Sequence, residues 1–391
     1  MIFLTWALAV LGVLGTACGN RRVGGDGSGG DGGFVDLRRD LHDGARDSLA
    51  KRYPWVSTYL GAGGCGDEVS GDRRTIRISD RGAYRMIHDR AGRLYLISIS
   101  RILVVDHDVV TSLVDQGTNS SSWDRTPMPI SVDKAVFGGI AAFAAVSPDR
   151  IYLADEQGIA MIDAGWLRWL AGSKAGLRGH IDGVGEEALF WVIGAMTLTS
   201  KDELIVADAH HLRKVVRGEV TTLAGSQSIR PTDSPKDGDA LTEATLAKAS
   251  RVLALPNRIL FYDGGLLREL RGGRVSTLAG EFIGNTNLDP QIVKDGLLKQ
   301  ARIRWPSNMV VFDGAIYFLD HNSHSAFRGH WRRRIRDGRV ETVGTLHIGA
   351  YRDGPLDEAR FEPTPSFLAV VGDHLLVNNA WGCRVREIEL R

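Results

Sequence analysis

The chain of 391 residues has little cysteine, no surplus of charge and almost no long hydrophobic run. Its 48 basic and 47 acidic residues leave a formal net charge of +1, so charge gives no reason to expect nucleic acid or a membrane surface as a partner. The three cysteines include no pair at zinc-site spacing. A nucleophile elbow and a phosphate loop are also missing, which excludes the enzyme classes that those motifs identify.

Six copies of one phrase are present instead: a branched residue, Thr, an apolar residue and Ala-Gly. The clearest copies read VTTLAG at residues 220–225 and VSTLAG at residues 275–280. Weaker copies begin at residues 56, 110, 167 and 340, so the copies follow one another at intervals of 53–65 residues. A repeat of this length, rich in short β segments, predicts a propeller or a solenoid.

The segments between successive copies of the phrase favour a propeller over a solenoid. Each of the last four repeats holds an Asp-Gly pair, an Ala six or seven residues later, and then short apolar runs separated by turns. Four strand-like segments with turns between them make one blade. The sequence therefore predicts an all-β, six-bladed β-propeller of four-stranded blades. The Asp-Gly pairs are Asp182-Gly183, Asp237-Gly238, Asp295-Gly296 and Asp353-Gly354.

These motifs resemble the NHL-repeat family of β-propellers. The matching features are V-T-x-L-A-G, the D-G-x4-A-x-F pattern at Asp353–Phe361, the strand end V-A-D at Val206–Asp208 and the pair Ile335-Arg336. The resemblance covers residues 56–391 and implies a propeller. It also brings related propeller enzymes into consideration, such as gluconolactonase-like and amidating-lyase-like proteins, which hold a metal in the central channel.

The two ends of the repeat region predict how the ring closes. The last repeat ends after its third strand, at Arg391, whereas the first copy of the phrase, Val56–Leu60, precedes any innermost strand. We expect that N-terminal segment to be donated to the last blade as its outer strand. This closure leaves no unpaired strand edge that would invite aggregation.

Two of the cysteines fit the same closure. Cys65 follows the donated strand, and Cys383 lies at the turn into the third strand of the last blade. In an antiparallel blade those points lie at the same end of adjacent strands, which predicts a Cys65–Cys383 disulfide. The alternative is two independent buried thiols.

The N-terminal residues predict export. Residues 2–17 are apolar and uncharged, too short for the ~20 residues that a membrane-spanning helix needs. Cys18 and a Gly-rich, Asp-rich stretch follow, a pattern that resembles a bacterial lipoprotein signal. The resemblance implies a signal peptide at 1–17, and at 18–55 a lipid-modified Cys18, a tether and a short helical segment before the propeller at 56–391. The alternatives are an ordinary secretory peptide or a mis-set start.

Export has consequences for the environment of the protein. A lipidated Cys18 implies an exported, membrane-anchored lipoprotein of the bacterial cell envelope, periplasmic or on the surface. That compartment is oxidising, as the predicted disulfide requires.

The innermost strands offer little chemistry. They read as apolar, with His88 and Asn308 as the only plausible polar groups facing the channel. Because a metal needs several convergent oxygen or nitrogen ligands, we expect no metal and no cofactor there.

Repeated Asp and His residues near the turns admit two interpretations each. The Asp residues that end the second strands could form a ligand ring, but turn capping is the interpretation that a repeated position favours. The histidines in the following turns could bridge a metal, but solvated turn residues are favoured. The aspartates are Asp155, Asp208, Asp263 and Asp320, and the histidines are His210, His211, His321 and His324.

The turn after Asp320 is eight residues longer than its counterparts. It combines aromatic residues with arginine, the composition of binding hot spots, which predicts a ligand-binding surface. The alternative is that residues 333–336 are a third strand whose alternate arginines face solvent. The predicted binding residues are Phe327, Arg328, Trp331 and Arg332, with Trp381 from the matching turn of the last blade.

Together these features favour a binding or scaffold module of the cell envelope over an enzyme. The partner would be a protein or a glycan bound on one propeller face, the membrane would be reached through the lipid anchor, and nucleic acid is not expected. The alternative function is a lactonase-like hydrolase or lyase with a site in the channel. A scaffold with no small ligand is a third possibility.

Overall fold

A computed structural model describes most of the chain beyond residue 54. Among the described residues, no helix has the length and hydrophobicity to span a membrane. The predicted sites Cys18, Phe327, Arg328 and Trp381 lie outside the described residues. The described residues are 55–61, 65–66, 68, 70–78, 85–98, 101–115, 128–136, 139–225, 234–282, 293–321, 330–361, 365–379 and 383–389.

Six antiparallel sheets form the fold, and each sheet is one blade. In chain order, a blade has a two-residue edge strand, then the innermost, second, third and outer strands. Blade 1 comprises Gly71–Asp72, Arg85–His88, Leu94–Ile97, Arg101–Asp106 and Val109–Asp115. Blade 2 comprises Ile130–Ser131, Ala142–Ser147, Arg150–Ala154, Gly158–Asp163 and Trp166–Gly172. Blade 3 comprises Gly183–Val184, Ile193–Leu198, Leu204–Asp208, His211–Val216 and Glu219–Ala224.

The other three blades follow the same plan. Blade 4 comprises Gly238–Asp239, Ala249–Leu255, Arg258–Asp263, Leu266–Arg271 and Arg274–Gly280. Blade 5 comprises Gly296–Leu297, Val310–Phe312, Ala315–His321, His330–Arg336 and Arg339–Thr345. Blade 6 comprises Gly354–Pro355, Pro365–Val371, His374–Asn379, Val385–Glu389 and the N-terminal Trp55–Leu60. Single 3-10 turns lie at Gly185–Glu187 and Leu298–Gln300, and a small parallel pair joins His347–Ile348 to Arg360–Phe361.

The prediction of an all-β, six-bladed propeller is confirmed, with one change in each blade. Every sheet has five strands rather than four, because the chain just ahead of each innermost strand pairs briefly with the outer strand. In blades 3 to 6 that edge strand begins at the glycine of the Asp-Gly pair. Gly238 shows why glycine is needed: its φ is +150°, and a Cβ there would lie 2.5 Å from Oε2 of Glu243.

The hydrophobic core is divided into six clusters, each of which lies between two neighbouring blades. Both faces of each sheet are therefore buried near the channel. The Val, Leu and Ile side chains of the second and third strands suit this position, since β-branched and large aliphatic residues pack well on a pleated surface. Closing the ring gives each blade two packing partners, including the first and the last.

The predicted closure is confirmed. Trp55–Leu60 pairs antiparallel with Val385–Glu389, with Val56 opposite Ile388. Cys65 and Cys383 form a disulfide with their Cα atoms 5.1 Å apart, although they are 318 residues apart in sequence. The last blade is thus assembled from both ends of the repeat region.

Successive turns of an antiparallel blade alternate between the two faces of the ring. We call the face with the turns between second and third strands the upper face. The loops that enter the innermost strands lie on the same face, since Asp208 at the end of a second strand accepts hydrogen bonds from the backbone of such a loop. The lower face carries the remaining turns.

Candidate functional site

Buried arginines recur at one register position in blades 3 to 6. Each lies on the third strand, opposite the second Thr of the VTT phrase or its counterpart, and is fully buried. A buried guanidinium is stable only where carboxylates and carbonyls satisfy its donors. The four residues are Arg213, Arg268, Arg333 and Arg386.

Blade 3 shows how these arginines are satisfied. Nη2 of Arg213 donates to Oδ1 of Asp182 at 2.6 Å, and Nη1 donates to Oδ2 of Asp208 at 3.1 Å. Asp182 also accepts hydrogen bonds of 2.9 Å from the backbone and the hydroxyl of Thr222. Burial raises the pKa of Asp182, but the hydrogen bonds from Thr222 and Arg213 outweigh burial and hold that pKa below its usual value.

This network explains the repeat signature. The Asp of Asp-Gly, the Thr of the phrase, the Asp that ends the second strand and the third-strand Arg are the parts of one hydrogen-bonded unit. Blades 1 and 2 lack the Asp-Gly pair, and the register position of the buried arginine holds Leu103 and Ala160 there. The buried arginine and the Asp-Gly pair are thus present together in blades 3 to 6 and absent together from blades 1 and 2, whereas the second-strand aspartate varies separately: blade 2 keeps Asp155, and the second strand of blade 6 ends in Asn378-Asn379.

The contacts of the second-strand aspartates agree with a structural role for these residues. The contacts of Asp155 differ from those of the other three. Asp155 caps its own turn by accepting from the N–H groups of Gln157 and Gly158. Asp208, Asp263 and Asp320 instead pair with the buried arginines and reach the loop before the innermost strand. Burial raises the pKa of Asp320 to about 6, against the opposing effect of Arg333.

The same network holds two tryptophans on the upper face. The backbone N–H of Trp191 donates to Asp208 at 2.8 Å, and that of Trp305 donates to Asp320 at 2.9 Å. Both indoles are exposed, Trp191 at 44% and Trp305 at 41%. Lys248 of blade 4 corresponds to Trp305, whereas Trp191 corresponds to Arg304 of blade 5. The upper face therefore carries large apolar rings whose backbone is fixed by the core.

The predicted blade-five surface is described only in part. Trp331 lies on the third strand, opposite Asp320 and Thr345, and is partly buried. The N–H of His321 donates to the carbonyl of Trp305 at 3.3 Å, so the second strand ends beside Trp305. The sequence analysis did not include Trp305 among the binding residues. A large apolar residue just before an innermost strand was the signal that could have identified it.

Arg332 departs from the sequence prediction. It belongs to the third strand, is 1% exposed and donates to the carbonyl of Val343. Burial lowers its pKa to about 10. Its guanidinium is not presented at the surface, because the neighbouring blade covers that face of the sheet. The alternative, that residues 333–336 belong to the third strand, agrees with the structure: Arg333 is fully buried, whereas Arg334 and Arg336 are partly exposed and pair with carboxylates.

The turn histidines of blade 3 form a cluster with His180. The sequence analysis had favoured solvated side chains at these positions. The rings of His180 and His211 are 4.1 Å apart between centroids, and those of His180 and His210 are 6.2 Å apart. His211 is buried, and its Nδ1 has no partner. Burial, and then the charge of His180, lower the pKa of His211 to about 4. Among the described residues, no group of three or more His, Cys, Asp or Glu is arranged to hold a metal ion.

The innermost strands line a central channel with two connected cavities. The upper cavity has a volume of about 120 Å³ and the lower one about 410 Å³. They share Ile87, Phe143, Met196 and Asn308 among their lining residues. At the lower mouth, Arg90 of blade 1 reaches blade 3, where it pairs with Asp202 at 2.8 Å.

The channel has more polar groups than the sequence indicated. Asn308 is structural, since its side-chain amide bonds both backbone groups of Leu368 in the adjacent blade. His88 accepts a hydrogen bond of 3.3 Å from the N–H of Val370. Sequence reasoning also missed Arg85 and Arg251, which line the upper cavity, and Arg90 and Asp202, which line the lower one.

Comparison with known proteins supports the fold alone. No protein-family model and no curated protein matches the chain. A structure of a protein of unknown function from Bacteroides thetaiotaomicron is 18% identical, with a TM-score of 0.52 over 86% of this chain and 76% of that one. The extracellular domain of a putative hybrid two-component system from the same organism has 10% identity and a TM-score of 0.46, over 86% of this chain and 40% of that one. A gluconolactonase from Xanthomonas campestris has 10% identity and a TM-score of 0.40, over 87% and 95%.

Proposed function

We propose that this propeller is an exported binding module of the bacterial cell envelope that docks a protein or a glycan on its upper face. The observation that carries the proposal is the pair of exposed tryptophans, Trp191 and Trp305, which lie one register position apart in the corresponding loops of blades 3 and 5. Exposed indoles present large apolar area with few rotatable bonds, which makes them effective anchors for a partner.

The surroundings of the two indoles support the same assignment. His180 stacks on Trp191 with ring centroids 5.8 Å apart, and the guanidinium of Arg304 lies 5.1 Å from the ring centre of Trp305. Leu177 and Ile181, in the loop that leads to Trp191, are also exposed. The surface therefore combines apolar area with hydrogen-bonding groups, as protein and sugar partners both require. Trp331 adjoins it, and Phe327, Arg328 and Trp381 extend it in the proposal.

The proposal includes an anchor. The apolar segment at residues 2–17 followed by Cys18 would direct export and lipid attachment, and the Gly-rich stretch would tether the propeller to the membrane. The Cys65–Cys383 disulfide is consistent with an oxidising compartment.

The experiment compares one variant on each face. The full-length protein, a Trp191→Ala/Trp305→Ala variant and a Trp166→Ala variant are crosslinked in native envelopes and applied to a glycan array. Trp166 is the matched control, since it is 47% exposed but lies at a turn of the lower face. We expect a partner or glycan that the double variant loses and the control keeps. Equal binding by all three would contradict docking on the upper face.

The alternative, a lactonase-like hydrolase or lyase, has a separate test. Purified protein is assayed against lactone substrates with and without added divalent metal. Turnover that survives Trp191→Ala/Trp305→Ala would favour an enzyme with its site in the channel.

A further inference from the structure

Two arginines face each other across the upper mouth of the channel. Arg85 begins the innermost strand of blade 1, and Arg251 lies near the start of the innermost strand of blade 4. Blades 1 and 4 are opposite one another in a ring of six. Both side chains line the same cavity of about 120 Å³. Any group that entered the cavity would therefore lie between two guanidinium ions.

Neither guanidinium has a carboxylate partner in the part of the chain that the structure describes. Nη1 of Arg251 donates to the carbonyl of Ser250, but its Nε is buried without a partner. Burial, and then the charge of Arg251, lower the pKa of Arg85 to about 10. Burial also lowers the pKa of Arg251. The two cations thus repel one another in a poorly hydrated site.

The contrast with the four repeated arginines of blades 3 to 6 makes this arrangement informative. Arg213, Arg268, Arg333 and Arg386 are each paired with at least one carboxylate. Leaving a cation unpaired in a semi-enclosed site costs free energy. Arg85 and Arg251 differ from the other unpaired buried arginines, Arg304 and Arg332, because they line one cavity that an external anion could enter.

A third buried arginine lies close to Tyr262, the cross-strand neighbour of Arg251. Arg304 is 7% exposed, its Nε and Nη1 are buried without partners, and its carbonyl accepts a hydrogen bond from the Tyr262 hydroxyl. Burial and the charges of Asp320 and Asp263 raise the pKa of Tyr262, whereas Arg304 and Arg251 lower it. Charges of both signs therefore surround Tyr262, and the case for an anion site rests on Arg85 and Arg251.

We propose that the upper mouth of the channel is a binding site for a small ligand that carries an oxyanion, held between the guanidinium groups of Arg85 and Arg251. A guanidinium presents parallel N–H donors that match a carboxylate or a phosphate. The rest of the ligand would pack on Phe143, Met196 and Phe367, which complete the cavity wall. This site is independent of docking on the upper face, so either proposal can fail without the other.

The test titrates full-length protein by calorimetry at low ionic strength with acetate, inorganic phosphate and glucuronate, and with glucose as the uncharged match for glucuronate. We expect at least one oxyanion to bind and glucose not to bind. Arg85→Gln and Arg251→Gln should each weaken binding about tenfold or more, because each removes charged hydrogen bonds. Arg271→Gln, which removes an exposed arginine on the lower face of blade 4, should change nothing. Whether acetate or phosphate binds more tightly identifies the ligand chemistry.

Thermal unfolding without any oxyanion gives a second readout. Since the two cations repel, Arg85→Gln or Arg251→Gln should raise the melting temperature of the free protein, and only the unsubstituted protein should gain stability when the anion is added. The proposal is overturned if no oxyanion binds, if binding survives both substitutions, or if both substitutions lower the melting temperature while Arg271→Gln does not.

Discussion

Arg213 and Asp208 meet inside blade 3, where both side chains are fully buried and Nη1 of the arginine lies 3.1 Å from Oδ2 of the aspartate. Asp208 uses its other oxygen to accept from the backbone of Trp191 and Val192. One carboxylate therefore joins the core of the blade to the surface loop that bears an exposed indole. Stability and the shape of the upper face depend on the same ion pair.

Asp208→Asn should lower the free energy of unfolding by about 3 kcal/mol, because it leaves Arg213 short of a buried counter-charge. The measurement is urea denaturation at neutral pH. Asp163→Asn serves as the control, since Asp163 pairs with Arg168 at 3.6 Å on the surface and should contribute no more than about 0.5 kcal/mol. Equal effects of the two substitutions would show that the buried pair adds nothing beyond a surface one.

The disulfide should contribute strongly to stability. Cys65 and Cys383 are 318 residues apart in sequence, and the chain-entropy treatment gives about 6 kcal/mol for a loop of that length. A Cys65→Ser/Cys383→Ser variant should therefore melt at a lower temperature than the oxidised protein. Reductant should lower the melting temperature of the unsubstituted protein and leave that of the variant unchanged. A response of both proteins to reductant would point to another cause.

Acid should destabilise the protein partly through His211. Burial lowers its pKa in the folded state to about 4, whereas an unfolded histidine titrates near 6.5. Between those values the unfolded state takes up a proton that the folded state does not, so stability falls as pH decreases, by about 3 kcal/mol in all.

His211→Leu introduces the residue that blade 4 holds at the equivalent position, Leu266. Denaturation at pH 7 and near pH 4 should show a smaller acid-induced loss of stability in this variant than in the unsubstituted protein. The same loss in both proteins would mean that other groups account for the acid sensitivity.

Cys18→Ser should release the protein from membranes if Cys18 carries the lipid. The expected result is recovery of the variant in the soluble fraction of lysed cells and loss of metabolic labelling with a radioactive fatty acid. Cys65→Ser/Cys383→Ser is the control for cysteine loss and should keep both the label and the membrane association. Labelling that persists in Cys18→Ser would place the lipid elsewhere or remove the anchor from the proposal.

The fold could be predicted because the residues that define the repeat are bound to one another. The Asp-Gly pair and the VTT phrase keep their spacing because Arg213 and its equivalents must reach fixed partners. Strand donation and the disulfide followed from counting strands at the two ends of the chain. The edge strands escaped prediction because two residues are too few to show a period.

The side-chain sites were harder to predict because both faces of a blade are buried near the channel. The alternation of side chains along a strand then does not distinguish buried residues from exposed ones. Arg332 and Arg333 are adjacent in sequence, yet both are buried. The ladder also shifts register between them. Arg85 and Arg251 matter only as a pair across the ring, a relation that no local sequence pattern contains.

The outer strand of blade 6 has a mechanical consequence. Any load that reaches the propeller through the chain before Trp55 arrives first on Trp55–Leu60, whose hydrogen bonds to Val385–Glu389 run the length of the strand. If that strand were pulled away, the crosslink from Cys65 to Cys383 would still join the two ends of the chain and stop the remaining blades from unravelling. A load applied ahead of Trp55, such as the proposed membrane tether would apply, could therefore extend the chain only as far as Cys65.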